Sequence, residues 1–110
     1  MKDFMVIFRE PDGRMDVHST EDNVHHQAKV KSWMESIAKN GNLSGGRALT
    51  LNGTVIDTEG NVRDDIYKVG KEIVGGYLLL KSNDLSQATE LIKTCPILER
   101  GGFAEVREVM

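Results

Sequence analysis

The chain has 110 residues with 39% hydrophobic content, close to the commonest domain size and enough to close one core, so residues 1–110 are expected to form a single domain. Its 14 basic side chains stand against 17 acidic ones, a net charge of -3, which leaves no surplus for a phosphate-binding stripe and argues against nucleic acid as a partner. One cysteine, Cys95, excludes an internal disulfide and a multi-thiolate zinc site and fits a reducing, cytoplasmic setting.

The first residues, MKDFMVIFREPDG, hold an apolar run that Arg9, Glu10 and Pro11 break. The run is too short for a membrane span and has no small-residue cleavage site, so the chain reads as soluble and unprocessed. From Phe4 to Phe8 every side chain is apolar, with Phe4, Val6 and Phe8 facing one way and Met5 and Ile7 the other. That pattern predicts a central strand covered on both faces. Pro11, Asp12 and Gly13 punctuate, and Ser19 or Thr20 is placed to cap a helix whose first turn carries Glu21 and Asp22. The inward face of this helix reads His26, Val30, Trp33, Met34 and Ile37, and Asn40-Gly41 ends it.

A Gly45-Gly46 turn is expected next, followed by short strands over Ala48 to Leu51, Thr54 to Asp57 and Val62 to about Ile66. The signals Asn52-Gly53 and Glu59-Gly60-Asn61 separate them into a meander. Ile73 to Leu80 is a second strand apolar on both faces, with Gly75 and Gly76 marking a bulge or a close backbone approach. Asp84 and Gln87 then open a helix whose stripe is Leu85, Ala88, Leu91, Ile92 and Cys95, until Pro96 stops it. Phe103 to about Val109 forms the last strand. The coarse order β-α-β-β-β-α-β predicts an α+β, ferredoxin-like sandwich with an inserted hairpin. Two amphipathic helices cover only one face of such a sheet, so a second copy of the chain is the economical cover for the other, with the meander as the alternative roof.

Between Asp64 and Val109 the wording is distinctive: DDIYKVGKEIVGGYLLLKSNDLSQA, then TCP, then GGFAEVREV. Lys71, Glu72, Gly75, Gly76, Tyr77, Asp84, Leu85, Ala88, Cys95, Pro96, Gly101, Gly102, Glu105, Val106 and Arg107 fall in the order and spacing of the YCII-related family. The chain resembles the DGPF branch of that family. The resemblance implies a dimeric α-β barrel, in which two copies pair sheet to sheet, and relatives with a lyase-like, dehydrochlorinating activity. Asp64 stands at the Asp of the DGPF signature, whereas Asp65, Ile66 and Tyr67 replace its Gly, Pro and Phe. The family's proposed His-Asp pair has its histidine about three helical turns before the closing glycine. Counted back from Gly41, that position falls near Val30, one turn past His26.

A small-molecule pocket is expected between the sheet and the meander. His26 is the candidate acid or base on the helix stripe, against the plainer reading of a partly exposed first-turn histidine. Asp64 and Glu72 are the candidate carboxylates, against a turn-capping role for Asp64. Glu72 is paired with an arginine in this reading. Arg47, Tyr67 and Lys71 are the candidate ligand-binding residues, against ordinary solvation or packing. Glu105 and Arg107, two apart on the last strand, read as a structural pair bridging to each other or across a dimer. No metal is expected: His18, His25 and His26 with Glu21 or Asp22 lack a His-x-x-x-His spacing. Neither glycine pair opens a helix as a nucleotide loop requires, so no cofactor is expected either. Cys95 reads as a buried structural thiol. Two functions of different classes stay open. One is a cytoplasmic enzyme moving protons on a small organic substrate, with His26 and Asp64 or Glu72 as acid and base. The other is a non-catalytic dimeric ligand-binding or transcription-associated module.

Overall fold

The computed structural model describes residues 1–12 and 20–110. Gly13 of the expected turn, His18 of the weighed metal set and the candidate cap Ser19 lie outside them.

Strand β1 spans Lys2–Pro11, helix α1 Thr20–Lys39, β2 Leu43–Ala48, β3 Val55–Ile56, β4 Val62–Arg63, β5 Glu72–Ser82, helix α2 Leu85–Lys93 and β6 Phe103–Glu108, with a short 3-10 helix over Pro96–Arg100 before the last strand. β2, β5, β1 and β6 form one antiparallel sheet in that order, while β3 and β4 make a separate two-stranded sheet. This is a ferredoxin-like α+β fold with a hairpin inserted between β2 and β5.

The alternation of β1 decides where the core forms. Phe4, Val6 and Phe8 are buried and meet Leu78 and Leu80 of β5, Ile37 of α1, and Ala88 and Ile92 of α2 in one cluster. Both helices therefore lie on the same face of the sheet. Each fully buried side chain of this size stabilises the fold by about 1.5–3 kcal/mol, so this cluster is its main support. The helix layer is tied laterally: Trp33 Nε1 donates to Thr94 Oγ1 at 3.0 Å, and Arg100 donates to Asn23 Oδ1 at 2.6 Å.

α2 starts as its sequence requires. Asp84 is extended at the cap and its side chain accepts from the backbone of Gln87 at 2.8 Å, while Gln87 Oε1 accepts from the backbone of Asn83 at 2.8 Å. The stripe holds at Ala88, Ile92 and Cys95, all buried; Leu85, expected on it, is exposed because it falls in the first turn beyond the sheet's cover. Gly101 takes the left-handed conformation that closes the 3-10 helix, with φ 86.

Two expectations in the middle of the chain are corrected. Gly45 and Gly46 are not a turn but part of β2, opposite Leu79 and Leu78, and Ala48 ends that strand rather than beginning one. A Cβ on Gly46 would come within 2.6 Å of the Tyr77 carbonyl oxygen, and its φ is 152, so close strand approach and backbone angle both demand glycine. β4 is also shorter than expected, ending at Arg63. The β3–β4 turn is held by Asp57, whose Oδ1 accepts from the backbones of Asn61 and Glu59 at 2.9 Å each; the bonds from Asn61 lead in holding its carboxyl below the usual range.

Among the described residues no helix covers the other face of the sheet. Met5 faces Leu79 and Ile7 faces Tyr77 across the β1–β5 register, and all four are half-buried. Leu51, Ile56 and Val62 of the hairpin region are exposed, so these side chains do not roof it. The fold is accordingly a thin plate, 42 × 40 × 19 Å, with a radius of gyration of 15.3 Å. An ordinary compact domain of this length would have a radius near ~13 Å.

Candidate functional site

Between α1 and the β2–β5–β1 part of the sheet lies a cavity of about 730 Å³. It is on the helix-covered side of the sheet, not between the sheet and the hairpin as the sequence suggested. The reason is packing: among the described side chains of α1 only Ile37, near the C-terminal end, is buried, whereas His26, Val30 and Met34 are half-buried and leave a gap above the strands. The strands below that gap include Gly46, Gly75 and Gly76, which contribute backbone and no side chain to its lining.

The walls are largely apolar. Phe8, Leu43 and Leu78 rise from the sheet, Val30 and Met34 from the helix, and Ile97 from the 3-10 segment. Polar groups are few: among the described residues His26, Lys31 and Glu35 on α1, Arg47 on β2, Glu10 on β1 and Tyr77 on β5 are the ionisable ones. A largely apolar concavity with a handful of polar groups is the general anatomy of a small-molecule site.

The candidates named from sequence separate into two groups. His26 and Arg47 border the cavity, with Arg47 opposite Tyr77 in the β2–β5 register. His25 turns to the other flank of α1, where its Nε2 lies 4.0 Å from Glu21 Oε1 in solvent. Asp64, Tyr67, Lys71 and Glu72 lie outside the cavity lining. All four are exposed, and Glu72 is held at the start of β5 by paired backbone bonds to Val69 at 3.0 Å. The fold therefore does not bring Asp64 or Glu72 to His26 along this cavity wall.

Glu10 is the carboxylate that sequence reading passed over. Its signal was present: the buried positions Phe4, Val6 and Phe8 continue by twos to residue 10. A bulge in β5 then shapes its seat. Phe8 pairs with Gly76 and Arg9 with Val74, so Gly75 is the extra residue, and a Cβ there would run into the Glu10 side chain.

The Glu105–Arg107 pairing also changes. Glu105 Oε1 instead receives a bond from Arg9 Nη1 at 2.9 Å, across the strand boundary on the open face. Cys95 is buried, and desolvation pushes its thiol up to about 11. Among the described residues no helix is long and apolar enough to cross a membrane, and no group of three or more His, Cys, Asp or Glu side chains could hold a metal ion.

A model of the YCII-related domain matches residues 4–110 of this sequence. The chain belongs to the YCII-related family. None of the curated proteins matches it significantly. Among solved structures, this YCII-related chain is similar to 5-chloro-2-hydroxyhydroquinone dehydrochlorinase from Burkholderia phenoliruptrix, determined in complex with 2,5-dihydroxybenzoquinone. The identity is 14%, the TM-score 0.51, and the match covers 93% of this chain and 90% of the other. At that identity the likeness speaks for the fold: the same α+β arrangement carries both sequences.

Proposed function

We propose that this protein is a cytoplasmic, lyase-like enzyme that moves a proton on a compact organic substrate seated between α1 and the sheet. The observation that carries this reading is the position of His26, an imidazole on the wall of an otherwise largely apolar cavity. Imidazole titrates near neutrality, so it can take or give a proton at physiological pH without a large environmental shift. The dehydrochlorinase neighbour supports an elimination. In such a step a base takes a proton from the substrate, the electron pair freed forms the new double bond, and the leaving group departs with its bonding pair as an anion. His26 is the proton carrier in this scheme, and Arg47 at the β2 edge is suited to an anionic group of the ligand.

The open sheet face supports a homodimer. Met5, Ile7, Tyr77 and Leu79 make an apolar centre, and the Arg9–Glu105 pair lies at its edge, which is the pattern of an interface core with a polar rim. The buried, free Cys95 thiol suits a reducing compartment.

Chloride release from chlorinated hydroxyhydroquinones, with ring absorbance followed in parallel, tests the reading. Wild-type protein should release chloride, and His26→Ala should lose turnover by roughly 10²-fold or more, the usual worth of a positioned acid or base, while keeping its sedimentation behaviour. Equal turnover by His26→Ala would remove the imidazole from the mechanism. A second reading, a non-catalytic ligand-binding or transcription-associated module, is favoured by the absence of Asp64 and Glu72 from the cavity lining. Ligand binding without any turnover would support that module.

A further inference from the structure

We infer that the open sheet face takes a second copy of this chain in one set arrangement, with Arg47 of each copy on Glu105 of the other. The inference rests on the homodimer reading above and fixes which strands meet. Directly paired residues of neighbouring strands point to the same side of a sheet, so the registers place whole rows on this face. One row reads Arg47 on β2, Tyr77 on β5, Ile7 on β1 and Glu105 on β6. The next reads Gly45, Leu79, Met5 and Arg107. The face is therefore apolar along its two central strands, with a cation at the β2 edge and a carboxylate at the β6 edge of the same row.

Homodimers close through a two-fold axis, and aligned sheets leave two simple directions for it. An axis across the strands lays β2 on β2, whose sequence LSGGRA offers no acid to Arg47. An axis along the strands, between β5 and β1, lays β2 of each copy on β6 of the other. Arg47 then meets Glu105 and Tyr77 meets Ile7, each contact occurring twice. Among the described residues Arg47 has no hydrogen bond or ion pair, so the second copy supplies the acid that its own chain does not. Glu105 keeps its bond from Arg9, because a carboxylate accepts from more than one donor.

The second row points to the same axis independently. Gly45 lies inside β2, its φ is not left-handed, and a Cβ there would meet nothing within 4 Å. Glycine weakens a strand, yet no described residue of the single chain requires one here. With β2 laid on β6, Gly45 lies over Arg107, and the missing side chain is the room that the long arginine takes. Arg47 also borders the cavity, so Glu105 of the second copy stands at the rim of the site. The guanidinium has several N–H donors, which leaves some for a ligand anion beside the carboxylate.

The test is sedimentation of wild type, Arg47→Glu, Glu105→Arg, an equimolar mixture of those two variants, and Gly45→Leu, with circular dichroism to confirm that each is folded. Wild type should be a dimer. Each charge variant alone sets like charges together at both contacts and should dimerise roughly tenfold or more weakly. Their mixture should restore a mixed dimer, since both contacts again join opposite charges. Gly45→Leu should fold and dimerise roughly tenfold or more weakly, because its side chain has space in the single chain and none over Arg107. Charge variants that dimerise as tightly as wild type, a mixture that stays dissociated, or an unchanged Gly45→Leu dimer would overturn this inference and leave the homodimer reading standing. A monomeric wild type would overturn both.

Discussion

Arg9 on β1 and Glu105 on β6 are joined across the open face of the sheet by a 2.9 Å ion pair, diagonal by two residues to the Ile7–Glu105 register. Both side chains are partly exposed in the single chain, so the pair is worth at most about 1 kcal/mol there. If a second sheet covers this face, the same pair is desolvated and its loss costs roughly 2–5 kcal/mol of association. Glu105→Ala should therefore weaken the dimer by more than tenfold while changing unfolding of the dilute chain little, as read by sedimentation and by urea titration.

Ile7→Asp is the harsher form of that test. Ile7 points away from the helix layer, opposite Tyr77, so a carboxylate there meets solvent in a monomer and apolar surface in a dimer. The variant should keep its far-ultraviolet circular dichroism and sediment as a monomer. A dimer that persists would mean that the copies meet through another surface.

Asp84→Ala should cost about 1 kcal/mol of stability, in the range of 0.5–2 kcal/mol for a lost N-cap. The bond to Gln87 at 2.8 Å is what disappears. Urea unfolding should show the midpoint fall with an unchanged slope.

Gly46→Ala should be worse, by about 1–3 kcal/mol, because the residue's φ of 152 is unsuited to an L side chain and the added Cβ meets the Tyr77 carbonyl. The effect should appear as loss of hydrogen-exchange protection along β2 before any change in α2.

Cys95 makes the fold sensitive to alkali. Its folded-state value of about 11 lies above the ordinary 9.0, so the neutral thiol is favoured by folding. The sign follows: the contribution is whole below about 9, declines as pH rises, and is spent near 11. Cys95→Ala should remove that part of the alkaline loss in a melting-temperature series, and native protein should react with thiol reagents only slowly at neutral pH.

Much of the fold was legible because it rests on periodicity. The stripe His26, Val30, Trp33, Met34 and Ile37 does turn inward along α1, and Phe4, Val6 and Phe8 do form the buried row of β1. β2 was misread because a glycine pair is the signature of a turn when only local sequence is visible. Its real constraint is the backbone of β5, more than thirty residues later in the chain, at Leu78 and Leu79. The site was half legible for a related reason. Family wording drew attention to Asp64, Lys71 and Glu72, which cluster in sequence around the hairpin's return. The cavity is instead set by how far α1 stands off the sheet, a tertiary quantity that no local pattern records. Glu10, with Arg9 and Pro11, reads in sequence only as the break of an apolar run.

The most direct measurement is a crystal structure of the protein soaked with hydroquinone. The ring is expected between α1 and β5, with an oxygen within hydrogen-bond reach of His26 and its face over Gly75 and Gly76. A ring bound instead against Asp64, Tyr67 and Lys71 on the hairpin side, with the α1 cavity filled only by water, would contradict the account.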